Sequence, residues 1–281
     1  MPHTVRSFRR LVKGLQPGTP DRALRLAVEL AELLDLELLG LFFEDRNLRE
    51  LAGIPFAREF RLLGGGWQPF DLDQVVHDLE VAALGVERLF TDAVKDLARH
   101  SQFEVMRGPV GEALTSTSSA TDIVVIMEPA SAAERVSAQF SALTEAAFRS
   151  AAAVMLVPPR LARNSGPIVA IATTPDDPSI AVAASIAGAA KEALFILDTG
   201  GQNPESPQLS QLAAETGVTI RRVAARALTP NPRACLEALH PLRERLLVMT
   251  RVPFDGEVAS AIAAARQVPV LVMEPERLPS A

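Results

Sequence analysis

The stretch "RNLRELAGIPFAREFRLLGGGWQPFDL" gathers the residue types best suited to holding a ligand: Arg58 and Arg61, the triple glycine Gly64 to Gly66, the only tryptophan Trp67, and Phe56, Phe60 and Phe70. Guanidinium groups match the geometry of carboxylates and phosphates, and aromatic rings wall off apolar pockets. The segment can therefore lid a crevice, with its arginines as anion partners. It can equally pack its rings on a second domain or a partner subunit, since buried aromatics mostly supply contact area. The glycines alone do not make a phosphate loop, because the Lys-Ser or Lys-Thr that follows such a loop is absent.

No other grouping points to catalysis. His3, His77, His100 and His240 stand far from one another and from other ligand types, so no metal site is expected. There is no Gly-x-Ser-x-Gly elbow, and nothing in the sequence brings Ser, His and Asp together. The His-x-Gly-His and Ser-Gly-Gly-x-Asp-Ser signatures of related nucleotidyl-transfer enzymes are absent. Asp176 and Asp177 in "TTPDDPS" sit where a loop turns into a helix, a place where carboxylates cap free N–H groups. Cys235 is the single cysteine; it leaves no intramolecular disulfide and reads as a small buried apolar residue in a reducing compartment. We expect no catalytic residues, no metal and no cofactor, hence no enzyme.

Positioning even a binding site takes a core, and the chain has the material for one. Its 281 residues are 48% apolar, enough for two ordinary domains. The net charge is −6, with an isoelectric point near 5.4, so neither nucleic acid nor an anionic membrane surface is expected as a partner. No segment approaches the roughly 20 apolar residues of a membrane span. The basic start "MPHTVRSFRRLVKGL" lacks the apolar run of a secretory signal, so a cytoplasmic protein is expected.

Periodicity then divides the chain into strands and helices in alternation. "RRLVKGL" and "ELLGLFFE" are apolar runs flanking the helical pattern "DRALRLAVELAELL". A polar and aromatic insertion over 45–75 precedes a long helical pattern, then "QFEVMRG", a short helix, "DIVVIM", the helix "SALTEAAFRSA" and "AVMLVPP". From Gly166 the order repeats: "IVAIATT", "ALFILDT", "TIRRVAA", "RLLVMTR" and "PVLVM" alternate with helices. This predicts two α/β domains with doubly wound, Rossmann-like parallel sheets, over 1–160 and 166–281, joined by "RLARNSG".

Several of these pieces carry a resemblance. "LVKGLQPGTPDRALRLAVELAELLDLELLGLFFE" and "IVAIATTPDDPSIAVAASIAGAAKEALFILD" match the opening of the universal stress protein family in the spacing of strand, helix and second strand. "TDIVVIM…AAFRSAAAVMLVPP" and "RLLVMTR…AIAAARQVPVLVMEP" resemble its closing strand, helix and Pro-Val-rich strand. The likeness covers nearly the whole chain in two copies. It implies an internal pseudo-dimer, with "AVMLVPP" and "PVLVM" near the shared interface and pairing as one way to cover their apolar edges. A homodimer of the whole chain is a further expectation.

Many members of that family bind ATP or AMP at the carboxyl ends of their strands, and the resemblance places that site here. The family's Asp after the first strand falls at Leu15, counting back from Ala23, and at Thr173, counting back from Ala181. Its three phosphate-loop glycines fall at Met127, Ala130 and Phe140, with only Ser141 retained. Glycine serves there because it takes positive φ and lets an anion reach the backbone N–H groups, whereas Phe140 puts a ring in the way. In the second half the loop is largely removed: Arg245 to Pro269 is seven residues shorter than Asp122 to Ala153. The family's ATP chemistry is expected to be lost.

Two functions stay open. One is a non-catalytic regulatory or stress-response protein that acts through contacts with an unidentified protein. The other is a small-molecule binder, for nucleotide-like or other compounds, with a rebuilt crevice formed by Leu15, Gln16, Phe43, Met127, Glu128 and Ser141 under an insertion carrying Arg58, Arg61 and Trp67.

Overall fold

The computed structural model describes residues 8–15, 21–44, 58–61, 66–69, 72–108, 110–129, 131–135, 137–174, 176–198, 207–224, 232–251 and 256–274. In chain order these form β1 (Arg10–Leu15), α1 (Asp21–Leu33), β2 (Glu37–Glu44), β3 (Arg58–Arg61), β4 (Gly66–Pro69), α2 (Leu72–Val94) and β5 (Ser101–Arg107). There follow α3 (Val110–Thr117), β6 (Asp122–Met127), α4 (Ala132–Arg135), α5 (Ala138–Ser150) and β7 (Ala153–Val157). The remainder comprises β8 (Ile168–Ala172), α6 (Pro178–Ala190), β9 (Leu194–Asp198), α7 (Pro207–Thr216), β10 (Ile220–Ala224), α8 (Pro232–Leu239), β11 (Leu246–Thr250), α9 (Gly256–Arg266) and β12 (Val270–Met273).

Ten strands make one sheet in the order β10-β9-β8-β11-β12-β7-β6-β1-β2-β5. Every neighbouring pair is parallel except β7 with β12, which run antiparallel with Leu156 opposite Val270 and Val154 opposite Val272. Those are the two apolar closing strands, each buried at every position, and each covers the other's edge. The sheet therefore reads as two five-stranded halves, β1-β2-β5-β6-β7 and β8 to β12, with the same internal order.

Side chains alternate across a strand, so each half can bury two faces. Leu11 and Leu15 of β1 join Leu24, Ala27, Leu30 and Ala31 of α1, with Val86 and Phe90 of α2. The same cluster continues through Ile180, Ala183 and Ala187 of α6. Val12, on the opposite side of β1, joins Leu114 of α3, Phe148 of α5, Cys235 of α8 and Ile262 of α9. Close packing requires Gly40 in β2: a Cβ there would stand 2.8 Å from the Phe90 ring and 2.9 Å from Leu15.

Ion pairs tie the halves and their ends together. Arg245 at the foot of β11 pairs with Glu29 of α1. Arg266 of α9 holds the fully buried Glu244 at 2.7 Å and also donates to the carbonyls of Leu239 and Leu242. The insertion contains an element that its polar and aromatic composition did not announce. β3 and β4 pair antiparallel as a separate two-stranded sheet, with Phe60 opposite Trp67.

Candidate functional site

Open α/β sheets bind ligands outside the carboxyl ends of their strands, where the strand order reverses. Here those switch points lie between β1 and β6 and between β8 and β11. Because β7 and β12 are antiparallel, the two points open on opposite edges of the sheet.

At the first switch point, Leu15 is buried among the residues of α1 and α2, and Met127 packs against the same cluster. Leu15 thus places an apolar side chain where the ATP-binding pattern has a carboxylate. Phe43, by contrast, packs with the cluster on the other face of the sheet. Glu128, directly after β6, is buried and donates its backbone N–H to the Val157 carbonyl. The Phe140 N–H, at the third glycine position, is already taken: Ser137 caps α5 and its hydroxyl accepts that hydrogen bond at 3.2 Å. Ser141 is exposed on α5 and gives its own N–H to the Ser137 carbonyl. Gln16 and Ala130 lie outside the described residues.

One residue at this point was passed over in the sequence. Lys13, in the middle of β1, is only 2% exposed. Burial pushes its ammonium down from 10.5 to about 8. Its Nζ donates to the Gly14 carbonyl at 2.9 Å, one residue nearer the carboxyl edge. The ladder between β1 and β2 continues to Leu15, but that between β1 and β6 ends at Lys13 opposite Val125. In the sequence Lys13 is a single lysine inside the apolar run "RLVKGL", with no local pattern that marks it as buried.

At the second switch point a carboxylate of the protein itself occupies the helix end. Asp177 caps α6, accepts from the Ser179 N–H at 3.0 Å and the Thr173 N–H at 3.1 Å, and is 5% exposed. The hydroxyls of Thr250, at 3.2 Å, and Thr173, at 3.3 Å, donate to the same carboxylate. The expected capping role of this aspartate is therefore seen directly. Beside it Arg251 pairs with Glu274 at 2.8 Å and lies 4.9 Å over the Phe148 ring of α5, joining the two halves.

The insertion stands apart in what it shows. Arg58 is exposed and donates to the Trp67 carbonyl at 2.9 Å, bracing the hairpin. Trp67 is 62% exposed, and Arg61 falls within β3. Asp122, aligned with the family's acidic residue, is buried at the opposite end of β6, where Arg10 pairs with it at 2.7 Å. No group of three or more His, Cys, Asp or Glu residues suited to a metal occurs among the described residues.

The architecture has close counterparts in form. A universal stress protein from Archaeoglobus fulgidus DSM 4304 superimposes with a TM-score of 0.63, covering 95% of this chain and 97% of its own at 12% identity. The chain has the fold of universal stress proteins. A universal stress protein from Pseudomonas aeruginosa UCBPP-PA14 matches with a TM-score of 0.54 over 97% of this chain and 95% of its own, at 14% identity. The cytoplasmic domain of a prokaryotic cation chloride cotransporter is similar over 95% of both chains, with a TM-score of 0.53 and 10% identity. No family model matches the sequence, and no curated protein matches it. The universal stress fold is thus carried by the arrangement of ten strands and not by sequence identity.

Proposed function

We propose that this chain is a tandem member of the universal stress protein family that has lost ATP binding and works as a non-catalytic regulatory protein through protein contacts. The carrying observation is Asp177, whose carboxylate takes the Thr173 and Ser179 N–H groups at the second switch point. Bringing a phosphate there would set like charges together on one set of donors. Ser137 on the Phe140 N–H and Leu15 in the core support the same conclusion for the first half.

Contact surfaces are available for the proposed role. Trp67 on the hairpin, with Val81, Leu84 and Leu89 of α2, are large apolar side chains left exposed. A homodimer or an unidentified protein partner would cover them. No helix among the described residues is long and apolar enough to cross a membrane, and we place the protein in the cytoplasm.

The test is to denature the purified protein, identify any released small molecule by mass spectrometry, and titrate ATP and AMP against the native chain by calorimetry. Flat titrations and no adenine nucleotide are expected. Stoichiometric nucleotide would overturn the proposal. A second reading, a binder of some other small molecule in a rebuilt first crevice, is favoured by one observation, the buried Lys13 where β1 and β6 part.

A further inference from the structure

We infer that the first switch point is a site for a short aliphatic monocarboxylate, held by the Lys13 ammonium where the ladder between β1 and β6 ends. The inference rests on the second reading above and names its ligand class.

Four features of the place select that ligand. A lysine 2% exposed is expensive to keep charged without an anion, and such groups are ordinarily paired. Lys13 has three donors, and the hydrogen bond it makes among the described residues goes to one neutral carbonyl, that of Gly14. Among those residues no carboxylate stands within ion-pair distance of its ammonium, and burial is what lowers its proton affinity. The side chain runs toward the carboxyl edge, where α1 begins at Asp21 and presents the positive end of its dipole.

The surroundings set the size and charge of the ligand. Gly40 and Val125 flank Lys13 in register, and Leu15 and Met127 are the next residues toward the edge on its face of the sheet. Val125, Leu15 and Met127 are apolar and bring no second cation. A phosphate dianion or a nucleotide would bring negative charge that nothing here neutralises, and a desolvated charge without a partner is costly. A single carboxylate balances a single ammonium. In the second half the helix end is met instead by the carboxylate of Asp177, which accepts from the Ser179 N–H.

The experiment uses the full chain and its Lys13→Met variant at neutral pH. Sodium butyrate, sodium phosphate and ATP are each titrated while the melting temperature and the 13C resonance of the Lys13 Cε are followed. Butyrate is expected to raise the melting temperature of the wild type, as any ligand of the native state must, and to move the Lys13 resonance. In the variant, which should remain folded, the response to butyrate is expected to fall at least tenfold. An equal response in both proteins would overturn the lysine site and leave a crevice elsewhere. A larger Lys13-dependent response to phosphate or ATP would overturn the monocarboxylate assignment. No response to any of the three would overturn both the site and the small-molecule reading.

Discussion

Replacing Lys13 with methionine isolates the cost of one buried charge, because the two side chains have similar length and the neighbours of Lys13 are apolar. Burial lowers the ammonium from 10.5 to about 8, which at about 1.4 kcal/mol per pH unit is about 3 kcal/mol against the folded state at pH 7. Methionine gives up the bond to the Gly14 carbonyl, a loss of about 1 kcal/mol. The variant should therefore be more stable than the wild type by about 2 kcal/mol at pH 7. Between about 8 and 10.5 the unfolded chain keeps a proton that the folded chain has released, so wild-type stability rises with pH across that window and the gap to the variant closes. Cys235 works in the opposite direction: burial pushes its thiol up from 9.0 to about 11, so its contribution is lost as pH rises between those values. The cysteine is common to both proteins and cancels in their difference, and the chain has no tyrosine to add a third titration. Urea unfolding of both at pH 7, 9 and 10.5 measures the gap. A variant less stable than the wild type at pH 7, or a gap that does not change with pH, would refute the account of Lys13 as an uncompensated buried charge.

Other expected outcomes concern the second half. Asp177→Ala removes the cap of α6 and leaves the Thr173 and Ser179 N–H groups without their acceptor, which should cost about 2 kcal/mol in urea unfolding. Glu244→Ala strands the partly buried Arg266, whose hydrogen bond to Glu244 raises its pKa above the ordinary value; a loss of about 3 kcal/mol is expected by the same method, with Arg99→Ala at the exposed pair with Asp35 as a near-neutral control. Cys235 is buried on the face of the sheet that carries Val12, and its raised pKa leaves it as a thiol near neutral pH. An aromatic disulfide reagent should react with it at pH 8 only once the protein is unfolded, so that native and denatured rates differ by at least tenfold. Rapid labelling of the native protein would contradict that placement.

Sequence alone determined the succession of elements, because apolar runs such as "DIVVIM" and "AVMLVPP" can bury both faces only inside a sheet flanked by helices on both sides. It also placed capping carboxylates at Asp176 and Asp177, a local signal at the start of a helical pattern, and of the two the structure makes Asp177 the cap. Local pattern missed the β3–β4 hairpin, where short strands alternate weakly and pair only with each other. Only the tertiary structure decided what Lys13 is. A lysine in a strand is ordinarily solvated, and nothing within a few residues says that β2, β6 and α1 will close around this one. The same holds for the carboxylate at the second switch point: its cap is local, but its bond to Thr250 spans 73 residues and exists because β8 and β11 are neighbours in the sheet. Apolar periodicity is a property of a segment, whereas the cost of a buried charge and the filling of a crevice belong to groups that only folding brings together.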